Sequence, residues 1–315
     1  MNVEVGEDIP IGRELRLVTN DDPRSTRLAD FCDSLSARLP GLEVRRQHES
    51  GTAPPHLLLP GGVRYIGVPD GLETAPFMDA VSGRLPPPPP RLAERLAALR
   101  MPAALSLYVS PQCTFCPVAV RSLIPLAIAQ PRLNLTVIDV VLFPEMAERA
   151  QVLALPTLVI DGRLRWSGTI DAVEVVELLM DADPAAIGPV ALEMMLKEGR
   201  AREVASMMQE FGRLFPALVE LLAHDEWPVR LGAMVAAEEL AGLDAGLAQT
   251  LIDRVWVRFE AAGNPAKGDM LYLIGEIGRR ADIQRIRGVV ADAAPSEVRE
   301  AAEEAVEKIE NRFKC

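Results

Sequence analysis

The chain has 315 residues, 49% of them hydrophobic, and 45 Asp and Glu against 33 Lys and Arg, a net charge of −12. That length allows two or three domains with cores that need no disulfide staples, and the acidic balance excludes a nucleic-acid surface, which needs Lys and Arg to replace counterions along the phosphates. The one local exception, Arg279, Arg280, Arg285 and Arg287, reads as a solvated helix face.

Met1 to Asn20 has neither the basic nor the apolar region of a secretory leader, and no uninterrupted apolar run is long enough to span a bilayer. The expectation is a soluble, cytoplasmic protein without a membrane partner. In a reducing compartment four cysteines, two of them in a Cys-x-x-Cys, point to redox chemistry or a metal rather than a structural disulfide.

Glu14 to Asn20 reads as a strand, Thr26 to Arg38 as a helix and Leu42 to Arg46 as a second strand. His56 to Leu59 and Val63 to Val68 follow as strands joined by Pro60-Gly61-Gly62, a tight hairpin signal, and Leu72 to Val81 returns as a helix. This order is a minimal thioredoxin-like plan. The loop where such a fold would carry its dithiol, Asp21-Asp22-Pro23-Arg24, holds no cysteine, so residues 12–85 read as a degenerate copy. Cys32, beside Phe31 on the helix, reads as a core residue, because free cysteine is among the most buried residue types. Pro86 to Pro90 predicts a stiff polyproline II spacer, and residues 86–103 a linker with a short helix from Leu92 to Leu99.

A second unit, residues 104–183, opens with the apolar strand Ala104 to Val109 and runs through Ser110-Pro111-Gln112-Cys113-Thr114-Phe115-Cys116-Pro117 into a helix from Cys116 to Ala129. Two thiols at a helix N-terminus are tuned by it: the free N–H groups and the positive dipole end favour thiolate over thiol. The spacing leaves the second thiol one turn away, close enough to attack a mixed disulfide. Strand Asn134 to Val140, a short helix Pro144 to Ala150, strands Thr157 to Ile160 and Leu164 to Ser167 about an Asp161-Gly162 turn, and a helix Asp171 to Met180 complete the unit.

From residue 187 to 315 the periodicity is helical throughout. Asp225-Glu226-Trp227-Pro228-Val229-Arg230, Gly263-Asn264-Pro265-Ala266-Lys267 and Ala294-Pro295-Ser296-Glu297-Val298-Arg299 each place a proline at a helix start, at a repeat spacing. The Pro-x-Val-Arg-x-x-Ala pattern resembles HEAT-type repeats, which bind partners more often than they catalyse. The expected fold class is α/β plus all-α: two tandem thioredoxin-like folds followed by a HEAT-like helical domain.

Residues from about 12 to 182 resemble the N-terminal domain of the flavoprotein subunit of bacterial alkyl hydroperoxide reductase, and more loosely the archaeal protein disulfide oxidoreductases. The stretches Leu15-Arg16-Leu17-Val18, Arg64 to Glu73, Cys113 to Pro117, Val137-Ile138-Asp139 and Leu155-Pro156-Thr157 carry the match in matching order. The resemblance implies Cys113 as attacking thiol, Cys116 as resolving thiol, and Pro156 as the cis-proline that faces the dithiol; by itself Pro156 also reads as an ordinary proline at a strand start. Thioredoxins carry a buried acid beneath the dithiol, but the equivalent position here is Leu107. In the resembling flavoprotein domain an acid from the first fold lies near the dithiol, and its counterpart here is Glu73, which alone reads equally as a first-turn helix acid. The flavin and nicotinamide module of that family has no counterpart: no Gly-x-Gly-x-x-Gly stands between strand and helix, so no cofactor is expected beyond a redox-active disulfide served by an external thiol reductant.

The leading reading is a thiol–disulfide oxidoreductase that reduces a partner protein, a peroxiredoxin by analogy, positioned by the helical repeats. Thr114-Phe115 adds no positive charge near the thiols, and a cytoplasmic setting favours net reduction. An alternative is an adaptor in which the helical repeats bind a partner and the dithiol gates docking. A closed zinc site needs two ligands beyond Cys113 and Cys116, with only Cys32, Cys315 and three scattered histidines on offer.

Overall fold

The computed structural model describes residues 14–313 apart from 40, 52, 182, 184–186 and 292–294; Cys315 lies outside the described residues. Two compact units divide between residues 182 and 183.

The first unit is built on one eight-stranded sheet: β1 (Glu14–Thr19), β2 (Glu43–His48), β3 (His56–Leu58), β4 (Arg64–Ile66), β5 (Ala103–Val109), β6 (Leu133–Asp139), β7 (Thr157–Ile160) and β8 (Leu164–Ser167), in the order β2-β1-β3-β4-β6-β5-β7-β8. A parallel pair followed by an antiparallel hairpin occurs twice, as β1 with β2 then β3 and β4, and as β5 with β6 then β7 and β8. The groups meet at β4 and β6, which pair in parallel with Tyr65 opposite Val137, so residues 14–66 and 103–167 share a sheet rather than standing as separate bodies.

Strand side chains alternate faces, and the apolar ones follow. Leu15, Leu17, Leu57, Tyr65, Leu105, Leu107, Leu135, Val137 and Leu158 join one continuous core with residues of α1 (Arg24–Arg38), α2 (Thr74–Val81), α3 (Pro90–Ala97), α4 (Cys116–Ala129) and α6 (Ala172–Asp181). The alternate residues Ile66, Tyr108, Ile138 and Val159 form a smaller cluster with Phe143 on the other face, beside α5 (Pro144–Arg149). β5 lies between β6 and β7 and is buried along nearly its whole length, which its sequence, apolar but for Ser106, allows. Cys32 is fully buried in the larger core, where burial pushes its thiol up to about 11.

Several boundaries differ from the sequence reading. α1 begins two residues early, because the Asp22 carboxylate accepts the Arg24 N–H. The hairpin of β3 and β4 closes through Pro60–Gly62 as a turn of 3-10 helix, with Gly61 and Gly62 both at positive φ. The helix expected from Leu72 is a 3-10 turn over Gly71–Glu73 leading into α2. Pro90 is the first residue of α3, so the extended strap is confined to 86–89.

The second unit consists of α7 (Pro189–Lys197), α8 (Ala201–Phe211), α9 (Pro216–Leu221), α10 (Trp227–Leu243), α11 (Ala245–Phe259), α12 (Asn264–Ile277), α13 (Asp282–Ala291) and α14 (Ser296–Arg312). α8, α10, α12 and α14 pack each on the next, while α7, α9 and α11 contact one another in a second row. Gly275 permits the close α12–α14 approach: a Cβ there would sit 3.0 Å from the Ala305 Cα. Arg230, almost fully buried, pairs with Asp269 at 2.6 Å and donates to the carbonyls of His224 and Asp225, tying the start of α10 to α12. Among the described residues no helix is long and apolar enough to cross a membrane.

Candidate active site

β5 ends at Val109, and the chain crosses Ser110 to Phe115 before α4 begins at Cys116. Pro117 fits the first turn because its missing N–H has no intrahelical acceptor to lose. Cys113 and Cys116 are joined as a disulfide, with Cα atoms 5.4 Å apart. They differ in exposure: Cys116 is fully buried in the core, whereas Cys113 is partly exposed. The Cys116 N–H, one of the free amides of the helix start, donates to Cys113 Sγ at 3.1 Å. That donor would stabilise negative charge on Cys113 once the bond opens.

The Leu155–Pro156 peptide is cis and precedes β7. β7 runs antiparallel to β5 with Thr157 opposite Tyr108, so the register carries Pro156 to the end of β5 where the dithiol loop departs. The Thr157 side chain is fully buried, its hydroxyl donating to the Ala154 carbonyl at 2.8 Å, which fixes the turn before the proline.

Glu73 reaches the same end of the sheet from the first half of the chain. Its 3-10 turn is fastened to the dithiol loop: the Leu72 N–H donates to the Pro111 carbonyl at 3.0 Å, and Gly71, at φ +56°, lies where a Cβ would come within 2.6 Å of the Pro111 oxygen. The turn also touches α4. Glu73 is 1% exposed; the Tyr65 hydroxyl donates to its Oε2 at 3.4 Å, and Oε1 has no hydrogen-bond partner. Burial, opposed by the Tyr65 hydrogen bond and reinforced by the Asp139 carboxylate, pushes the Glu73 carboxyl up to about 7.

Cys113, Cys116, Pro156 and Glu73 thus gather at one end of the sheet, while Leu107 lies wholly in the core without a polar group to offer. Sequence reasoning assigned no part to Tyr65 and Asp139. Asp139, 5% exposed at the end of β6, accepts the Val141 N–H at 2.9 Å, and burial raises its own carboxyl. Phe115, between the cysteines, is two-thirds exposed at 67%, an apolar side chain held in solvent beside the partly exposed thiol. Among the described residues no group of three or more His, Cys, Asp or Glu is placed to hold a metal ion.

Residues 104–180 match the family model described as thioredoxin domain. This thioredoxin-like α/β part and the helical part together make up the described fold. Among curated proteins, an NADH dehydrogenase of Ferdinandcohnia aciditolerans is 24% identical over 190 residues, 58% of this chain and 36% of that protein. The chain spans about a third of the length of the curated relatives it matches. Among solved structures, the NTD_N/C domain of alkylhydroperoxide reductase AhpF from Enterococcus faecalis is 21% identical with a TM-score of 0.46, covering 53% of this chain and 89% of that one. A protein disulfide oxidoreductase from Aeropyrum pernix is 16% identical with a TM-score of 0.48, covering 53% of this chain and 84% of that one.

Proposed function

We propose that the chain is a thiol–disulfide oxidoreductase in which Cys113 attacks a disulfide of a partner protein and Cys116 resolves the complex. The observation that carries this reading is the asymmetry of the pair: one sulfur partly exposed under a helix-start amide, the other buried one turn on. In the reduced enzyme the Cys113 thiolate displaces one partner sulfur as thiolate and forms a mixed disulfide. Cys116, deprotonated by ionised Glu73, then attacks Cys113 Sγ and expels the second partner sulfur, which takes up the proton. Two electrons pass to the partner, and Cys113–Cys116 is left as the disulfide. An external thiol reductant returns them, since this reading assigns the chain no flavin or nicotinamide. Pro156 borders the groove in which an incoming strand would lie.

The same reading treats residues 12–85 as a degenerate copy of the fold without a dithiol and the helical unit as a HEAT-like module that holds the partner. A peroxiredoxin in the cytoplasm is the partner that the alkyl hydroperoxide reductase analogy suggests. Trapping tests it: Cys116→Ser should accumulate a mixed disulfide with the partner that dithiothreitol releases, and Cys113→Ala should lose reduction of a protein disulfide. Undiminished turnover by Cys113→Ala would refute the assignment.

A further inference from the structure

The helical unit contains a second site unconnected with the dithiol. Residues of α11 to α14 surround a cavity of about 600 Å³, partly open to solvent. Its apolar wall is Trp256 and Phe259, three residues apart on α11 and therefore on one face, with ring centroids 5.4 Å apart. A cation stands over each ring: the Arg285 guanidinium lies 4.8 Å from the Trp256 centroid and Lys267 Nζ 5.6 Å from that of Phe259. Neither has an ion-pair partner among the described residues, although the chain carries twelve more acidic than basic side chains. Their neighbours on the same segment are matched, Arg279 with Asp253 and Arg287 with Glu310. The buried Asp282 carboxylate is committed as well: Trp256 Nε1 donates to one oxygen at 3.1 Å and the Arg279 N–H to the other at 2.8 Å. Glu260 is the one acid among the described lining residues.

We propose that this cavity binds an acidic peptide segment of a partner protein, its carboxylates meeting Lys267 and Arg285 and an apolar side chain meeting the apolar lining at Val289, Pro295 and Val298. Charge complementarity carries the choice of occupant. Two cations lie over aromatic rings, and neither is engaged by a carboxylate among the described residues. A cavity partly open to solvent suits a chain that enters and leaves better than an enclosed metabolite. Glu260 sets the polarity of the site, repelling carboxylates from its own end.

The full-length chain with Trp166→Phe and Trp227→Phe retains Trp256 as its sole tryptophan, so its fluorescence reports the site. Titration with an acetylated, amidated Asp-Leu-Asp-Leu-Asp peptide should give a saturable change that weakens as salt rises. Lys267→Gln and Arg285→Gln, each checked for unchanged helicity and melting temperature, should weaken binding about fivefold apiece, and Glu260→Gln should tighten it. Failure to bind, equal binding of the Asn-Leu-Asn-Leu-Asn peptide, or unchanged affinity in both cation variants would overturn the proposal. The readout does not involve the cysteines, so none of these results bears on the dithiol reading.

Discussion

Replacing Glu73 by Gln isolates the energetic cost of the buried carboxylate. Its carboxyl is raised from an ordinary 4.5 to about 7, chiefly because burial disfavours the charged form. Between those values the unfolded chain is ionised there while the folded chain retains the proton, so stability falls as pH rises from 4.5 to 7 and stays lower above it. At about 1.4 kcal/mol per pH unit the loss is about 3 kcal/mol. Glutamine keeps the shape and cannot ionise. Urea unfolding of the oxidised protein and of Glu73→Gln at pH 4.5 and pH 8 should therefore diverge: the variant should gain about 3 kcal/mol on the parent between the two pH values. Taking the difference cancels other shifted groups such as Asp161 and His56, whose surroundings the substitution leaves alone. Parallel pH profiles for the two proteins would show that Glu73 is not held protonated by burial. The same substitution should slow turnover above pH 7, where the parent has the carboxylate to accept that proton.

Gly67→Ala should destabilise the first unit by about 1–3 kcal/mol, since its Cβ would lie 2.5 Å from that of Asp139 on a backbone at φ +155°; a melting temperature equal to the parent's would contradict this contact. Leu107→Ala removes a fully buried side chain from the centre of β5 and should cost about 2–5 kcal/mol in urea unfolding, without altering the accessibility of Cys113 to a thiol reagent in the reduced protein. In the helical unit, the Asp244 carboxylate caps α11 by accepting the Leu247 N–H at 2.9 Å. Asp244→Ala should cost about 1 kcal/mol, read as a lower melting temperature of that unit.

The elements of the active half were legible because their signals are local. Asp161 and Gly162 both adopt positive φ in the turn between β7 and β8, as that dipeptide favours, and the apolar run at β5 reports a strand buried on both faces. The Cys113–Cys116 spacing at a helix start could likewise be read directly. The setting of Glu73 could not. The resemblance suggested an acid near the dithiol and its position alone a helix acid, but what makes it unusual comes from strands distant in the chain: Tyr65 on β4 and Asp139 on β6, brought together by the parallel pairing of Tyr65 with Val137. No periodicity carries that information. The exposed face of the basic segment was legible too, but not that Arg285 would stack on Trp256 while Arg279 and Arg287 found carboxylates.

The half of the sheet without a dithiol therefore shapes the site as well as the core. β4 closes the edge that β6 would otherwise present to solvent, and its Tyr65 side chain enters the core that also buries Cys116. Through Leu72 and Gly71 this half grips the backbone of Pro111, two residues before Cys113, so it fixes the loop on which the exposed sulfur sits. It also supplies a buried carboxylate, Glu73, whose Oε1 has no hydrogen-bond partner among the described residues, at the end of the sheet where the thiols gather. Leu107 leaves no acid beneath the dithiol on its own strand, and the buried carboxylates at that end of the sheet are Glu73 and Asp139.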